Sequence, residues 1–337
     1  MTSTATNATY KIKLTSEQIK EMIDYYNGYL VNNTSNYMIA RAKTNNATIT
    51  FYRTNVVLFQ GVGATNEYIR WGKVFNLETE EIETTDTPNY SDLSVIGTDE
   101  VGTGDYFGPV VVCATYVSNE NIQKLRQMGV KDSKMLTDKQ IVPLSLEIAK
   151  LIPYSIIYLD PEKLNMLSKK EYNLNFVKAY LHNKSIYSIL KKYPEVKYDA
   201  ILIDEFTPKE KYLDYLKNTT NVITDITTIK RGEQAHVAIA AASILARAAF
   251  IREIQKLSNA YDMPILKGAG NEVDKSAISF VKSFGWKELF KVVKIKFANT
   301  ERIKQYFENN PLPKSKQEGF EKLSNINTNE NDKWVTI

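Results

Sequence analysis

Soft metal ligands are almost absent from this chain: one cysteine (Cys113) and two histidines (His182, His236) in 337 residues. A lone cysteine excludes an internal disulfide framework. Three soft donors are too few for a typical structural zinc site. A metal held here would therefore be a hard cation on carboxylates. No apolar run reaches the roughly 18 residues that a membrane helix needs, so no membrane partner is expected. The first residues, MTSTATNATYKIKL, lack the charged start and apolar core of a secretory signal. The expected location is cytoplasmic.

A large overall charge is also missing, since the formal net charge is only +4. Its distribution is uneven. Residues 1–76 carry eight Lys/Arg against four acids, whereas 77–92 carry Glu78, Glu80, Glu81, Glu83, Asp86 and Asp92 and no base. The rest of the chain is again basic. This pattern reads as a first domain (1–76), an acidic linker (77–92), a second domain (93–310) and a polar tail (311–337) expected to fray. Thr84, Thr85, Thr87, Pro88 and Asn89 make the linker poor core material. Two basic globules suit a polyanion, although solvated surfaces account for the same charges. The 21 tyrosines fit stacking on nucleotides or half-buried strands.

In the first domain, Thr15 or Ser16 is positioned to cap a helix running to about Asn27. Strands are expected at Tyr37–Ala42, Ala47–Tyr52 and Val56–Gln60. The expected unit is small, one helix on an antiparallel sheet, with no catalytic cluster. In the second domain, strands are expected at Leu93–Gly97, Val110–Val117, Tyr154–Leu159, Ala200–Ile203 and Asn221–Ile226. Helices are expected over Asn173–Lys192, Glu233–Leu257, Val273–Phe284 and Trp286–Lys296. Strands alternating with helices indicate a mixed α/β layer fold.

Asp99 and Glu100 follow an apolar strand, and Asp204 follows another, AILI. Acids at the carboxyl ends of neighbouring strands converge at the edge where α/β sheets bind ligands. Glu233, at the start of the long helix, is a fourth candidate. Taken singly, Asp99 or Asp204 also reads as a turn cap, and Glu233 reads first as a first-turn acid favoured by the helix dipole. Together, carboxylates without a base cluster need cations, and hard oxygen ligands select Mg²⁺ or Mn²⁺. Two such ions about 4 Å apart can activate a water and stabilise the leaving oxygen of a phosphodiester. Gly102-Thr103-Gly104 reads either as a plain tight turn or as backbone that a nucleic acid can approach closely. Asp105 is a turn residue or a further member of the acid cluster.

The segment TDEVGTGDYFGPVVVCATYV (98–117) resembles the opening catalytic motif of type 2 ribonucleases H. VKDSKMLT (130–137), LIDEF (202–206) and KRGEQAHVAIAAASILARAAF (230–250) resemble that family's later motifs, in order. Gly-Thr-Gly and the N-terminal extension resemble the ribonuclease HIII branch, whose extension is a TATA-binding-protein-like substrate-binding domain. The resemblance implies a ribonuclease H-like catalytic domain, a mixed sheet flanked by helices, behind a small α+β N-terminal domain. It implies an endonuclease that cuts the RNA strand of RNA/DNA hybrids, leaving 5′-phosphate and 3′-hydroxyl ends. In the cell, such enzymes remove RNA primers or hybrids during DNA replication and transcription. Asp99, Glu100, Asp204 and Glu233 map to the catalytic and metal-binding positions for two Mg²⁺ or Mn²⁺ ions. Gly102, Thr103, Gly104, Ser133 and Lys134 map to substrate contacts. The implied partner is hybrid nucleic acid, with the protein acting as a monomer. The alternative is a catalytically inactive hybrid- or duplex-binding protein on the same scaffold.

Overall fold

The computed structural model describes residues 8–32, 37–77, 90–131, 133–169 and 173–313. Most of the acidic linker and of the C-terminal tail lies outside these residues. The chain divides into two compact units, residues 1–88 and 89–337.

In the first unit the elements run β1 (Ala8–Lys13), α1 (Ser16–Tyr25), β2 (Met38–Lys43), β3 (Thr48–Tyr52), β4 (Val56–Gly61) and α2 (Ala64–Val74). Thr15 is the cap of α1: its hydroxyl accepts from the Gln18 amide, and the Gln18 side chain accepts from the Thr15 amide. The sheet has four strands, not three, in the antiparallel order β1-β4-β3-β2. Sequence reading missed β1 because its outward positions are Lys11 and Lys13, which dilute the apolar signal of Tyr10 and Ile12. It also missed α2. One sheet face carries Ala42, Ile49, Phe51, Val57 and Phe59. These pack with Ile19 and Met22 of α1 and Tyr68 and Trp71 of α2 into one core.

The second unit begins with β5 (Val95–Val101) and β6 (Val110–Val117), followed by α3 (Asn119–Gln127), α4 (Asp138–Leu151), β7 (Tyr154–Leu159), α5 (Pro161–Lys169) and α6 (Leu174–Lys192). Then come β8 (Ala200–Asp204), α7 (Lys209–Leu216), β9 (Thr227–Ile229), α8 (Gly232–Ala235), α9 (Val237–Ala260), α10 (Asn271–Phe284), α11 (Trp286–Val292) and α12 (Ala298–Asn309). The sheet order is β7-β6-β5-β8-β9. β5, β6 and β7 pair antiparallel, whereas β8 and β9 join in parallel. This is the mixed sheet with flanking helices that the resemblance implied.

The two faces of the sheet are distinct. Val95, Cys113 and Leu202 pack with α9 on one face, while Ile96, Ile201 and Ile203 pack with α6 and α7 on the other. Helix α9 comes very close to β5. A Cβ on Gly97 would lie 2.5 Å from the Ile239 amide nitrogen, so only glycine permits this approach. The alanines of α9 serve the same closeness, since Ala238, Ala240, Ala241 and Ala242 are all buried.

Four boundaries differ most from expectation; one is the helix expected over Trp286–Lys296, which stops at Val292 because Val293 turns extended. β5 continues through Asp99 and Glu100, because the ladder to β6 extends as far as Val101↔Val111. The strand expected at Asn221–Ile226 lies instead at Thr227–Ile229. The Asn183 side chain binds the Asn221 carbonyl and the Ile223 amide, so these backbone groups have no need of a strand partner. The long helix starts at Val237, not Glu233. Arg231 has a left-handed φ of 57°, and His236 is extended, which leaves Glu233 on a separate single turn.

Candidate active site

Asp99 and Asp204 come from adjacent parallel strands. The last paired position is Thr98↔Ile203, so each acid is the next residue along its strand. Alternation along β5 then separates Asp99 from Glu100. Asp99 points to the α9 face, where it shares a hydrogen bond with Ser243 and sits opposite the buried Cys113. Burial pushes the Cys113 thiol up and leaves it inert. Glu100 points to the α6 face. Its two oxygens meet Lys178 Nζ at 2.5 Å and His182 Nε2 at 2.9 Å.

Asp204 Oδ1 accepts from the Gly232 amide at 2.7 Å. A Cβ on Gly232 would fall 2.6 Å from Ile239 Cδ1 and 3.0 Å from that same oxygen, so those side chains would have to shift. This hydrogen bond ties the Arg231-Gly232 turn, and with it the adjoining Glu233, to Asp204. Glu233 Oε1 accepts from the Ser133 hydroxyl at 2.8 Å and the Ser133 amide at 3.1 Å. The Ser133 hydroxyl also lies 2.8 Å from that of Ser243. A polar chain thus runs from Asp99 through Ser243 and Ser133 to Glu233.

Asp99 is only 7% exposed. Burial first, and then the charges of Glu100, Asp204 and Glu233, hold its carboxyl well above the usual range. The charges of the other three candidate acids are thus all felt at Asp99, although the Glu100 side chain lies on the opposite sheet face. For Glu100, burial pushes upward, but His182 and Lys178 outweigh it and hold the carboxyl below its ordinary value. Among the described residues, no three acid, histidine or cysteine side chains form a ready ligand group. The Glu100 and Glu233 carboxylates face Lys178, His182 and Ser133 instead. The donor set nevertheless suits a hard divalent cation: it is all oxygen, and its excess negative charge is concentrated around a buried Asp99.

The expected substrate contacts separate by exposure. Gly102 is buried with φ +93°, and a Cβ there would fall 2.2 Å from the Pro109 carbonyl. It shapes the turn, whereas Gly104 is exposed. Asp105 is a tether and not a fifth acid of the cluster: its Oδ1 accepts from the Gly268 amide at 2.6 Å. Ser133 is 4% exposed and engaged with Glu233. The Lys134 side chain is 83% exposed, with Nζ 3.8 Å from Glu233. Arg247 of α9 holds this loop by donating to the Ser133 carbonyl and to Asp138, which also binds Lys267. Sequence reading missed Lys178, His182, Ser243 and Arg247. The available signal was a lysine and a histidine, four residues apart, beside Val177 and Leu181 in the apolar stripe of α6.

A mixed sheet with acids on its central strand and that strand's parallel neighbour, backed by a helix of small residues, defines a ribonuclease H-like α/β protein. The family model described as Ribonuclease HII matches residues 96–300. A second, described as a domain of unknown function (DUF3378), matches residues 10–83. Ribonuclease HIII of Enterococcus faecalis is 40% identical over 298 residues, covering 87% of this chain and 97% of that protein. Ribonuclease HIII of Bacillus cereus is 38% identical over 299 residues, covering 86% and 96%. The crystal structure of Bst-RNase HIII in complex with Mn²⁺ aligns with a TM-score of 0.64 at 33% identity, covering 90% of this chain and all of that one. The ribonuclease H2 of Pyrococcus horikoshii shares the fold, with a TM-score of 0.53 at 22% identity. The chain belongs to the ribonuclease HII family, in its ribonuclease HIII branch, and is a nuclease.

Proposed function

We propose that this protein hydrolyses the RNA strand of RNA/DNA hybrids, leaving 5′-phosphate and 3′-hydroxyl ends, with Asp99, Glu100, Asp204 and Glu233 holding a pair of Mg²⁺ or Mn²⁺ ions. The carrying observation is that Asp99 and Asp204 stand side by side, each just past the last parallel pair of β5 and β8, with Glu100 and Glu233 near enough for their charges to be felt at Asp99. Bound there, such ions would lower the pKa of an attacking water and neutralise charge on the leaving 3′-oxygen. The chain's own residues orient and bind. Asp99 and Asp204 present oxygens from rigid strands, and Ser133 aims the Glu233 carboxylate. Thr103 and the exposed Gly104 offer backbone to the RNA strand, whose 2′-hydroxyl distinguishes it from DNA. Lys134 meets a phosphate.

The first unit is the proposed hybrid-binding domain (1–76), and residues 93–310 the catalytic one. Support comes from the sheet face opposite α1 and α2. There Arg41, Thr50, Leu58 and Lys11 form one cross-strand row, and Lys43, Thr48 and Gln60 the next. Lys11, Lys13, Arg41 and Lys43 are all exposed. A sheet face edged by exposed lysines and arginine suits phosphate backbones and duplex shape, although Thr50 in its middle is buried. We further propose that the protein works as a cytoplasmic monomer. Among the described residues, no helix is long and apolar enough to cross a membrane.

The test is cleavage of an end-labelled RNA/DNA hybrid beside duplex DNA, with Mg²⁺, Mn²⁺ or EDTA. Cutting of the RNA strand alone, abolished by EDTA, is expected. Tight hybrid binding without cutting in either metal would replace this reading with that of an inactive binding protein.

A further inference from the structure

Glu100 is held by a clamp that lies outside the four acids. Lys178 Nζ contacts Glu100 Oε1, and His182 Nε2 contacts Oε2. His182 is fully buried, and its Nδ1 lies 2.8 Å from the Thr98 hydroxyl. Phe206, two residues beyond Asp204, closes the other side. Its ring stacks on His182 at 5.2 Å between centroids, and Lys178 Nζ sits 4.1 Å from its centre. Lys178 is 9% exposed, so its ammonium cannot leave Glu100 for solvent without giving up the ring and the carboxylate together. The clamp joins α6 to the two strands that carry Glu100 and Asp204.

We propose that Lys178 is a positioning residue that weakens divalent-cation binding at the acid cluster: it fixes the Glu100 carboxylate and puts one positive charge beside the ions' place. This inference rests on the proposal that Asp99, Glu100, Asp204 and Glu233 hold divalent cations. Two consequences have opposite signs. A buried carboxylate whose cation is removed destabilises the fold. The same removal deletes a repulsion between Lys178 and the incoming ion. A unit charge a few ångströms from a divalent ion changes affinity by well over a factor of ten, even at a surface-like dielectric. A purely structural clamp gives a different outcome, because disturbing it would loosen the site and weaken the ion.

The experiment uses the full chain without nucleic acid, at pH 8 and low ionic strength. Free Mn²⁺ is followed by electron paramagnetic resonance, and melting temperature is measured in EDTA. For Lys178→Met, the expected results are a Mn²⁺ dissociation constant about tenfold lower than wild type or better, and a lower melting temperature in EDTA. Lys178→Arg, which keeps the charge, should return the affinity to the wild-type value. If Lys178→Met does not fold, Lys178→Gln removes the charge while keeping a donor for Glu100, and the same tightening is expected. Unchanged or weaker Mn²⁺ binding in the neutral variants overturns the proposal while leaving the four-acid site standing. A wild-type protein that binds no Mn²⁺, or binds it undiminished after Asp204→Asn, overturns the four-acid reading and this inference with it.

Discussion

Asp99 sits where its own charge is unfavourable. Its folded-state pKa is raised by burial and by three neighbouring acids. The folded protein therefore binds the proton more tightly than the unfolded chain, and stability falls as pH rises above the unfolded value. A carboxylate in this place is therefore a cost to stability tolerated for function. Asp99→Asn should then do two things at once. Metal-dependent cleavage should fall by about a hundredfold or more, and melting temperature in EDTA at pH 8 should rise by a few degrees. A melt and a cleavage assay on one preparation check both. Retained cleavage would remove Asp99 from the proposed machinery. A lowered melting temperature would contradict the electrostatic account.

At the scale of elements, the turn between β9 and α9 does most to assemble the site. Arg231 in the left-handed region, Gly232 against Asp204, and His236 as cap bring Glu233 to the site on its own short turn. The His236 Nδ1 accepts from the Ala238 amide at the start of α9, which only the neutral ring can do. Burial is the chief cause that pulls its pKa down to about 4. Between an unfolded value near 6.5 and that folded value, the unfolded chain binds more protons. Stability from this group is thus present above about pH 6.5 and is lost as pH falls to about 4, on the order of 3 kcal/mol in all. His236→Asn keeps a capping side chain but does not titrate. Denaturant melts from pH 7.5 to 4 should show a shallower decline for the variant than for wild type. Parallel declines would rule out this cap as the cause.

For the whole molecule, the prediction concerns the basic sheet face. Lys11, Arg41 and Lys43 lie across that face in paired rows. Replacing all three with glutamine should weaken hybrid binding. The slope of log affinity against log salt should also become shallower, by about one for each phosphate that the variant no longer neutralises. Turnover at saturating hybrid should be preserved, because the acids lie in the other unit. Fluorescence anisotropy across a salt series separates the outcomes: an unchanged slope would move substrate binding away from this face.

Much of the fold was legible in the sequence because local rules and burial agreed there. The alternation through Ile49 and Phe51, the apolar run of Val110–Val117 and the alanine-rich stretch of α9 all formed the elements their patterns indicate, with β3 starting one residue after Ala47. β1 and β9 were not legible. Outward lysines mask β1, and the Asn183 side chain, 38 residues from Asn221, decides where the backbone before β9 finds its partners. That Asp99, Glu100 and Asp204 belong to or adjoin apolar strands is settled by the sequence alone, because strand period is local, whereas the continuation of β5 to Val101 depends on its pairing with β6. What each acid faces is settled by packing between distant elements. Alternation along β5 turns Asp99 towards Ser243 and Glu100 towards Lys178 and His182. Those partners come from helices about 80 and 140 positions away. The packing of α6 and α9 on opposite sheet faces brings them in, and no local pattern encodes it.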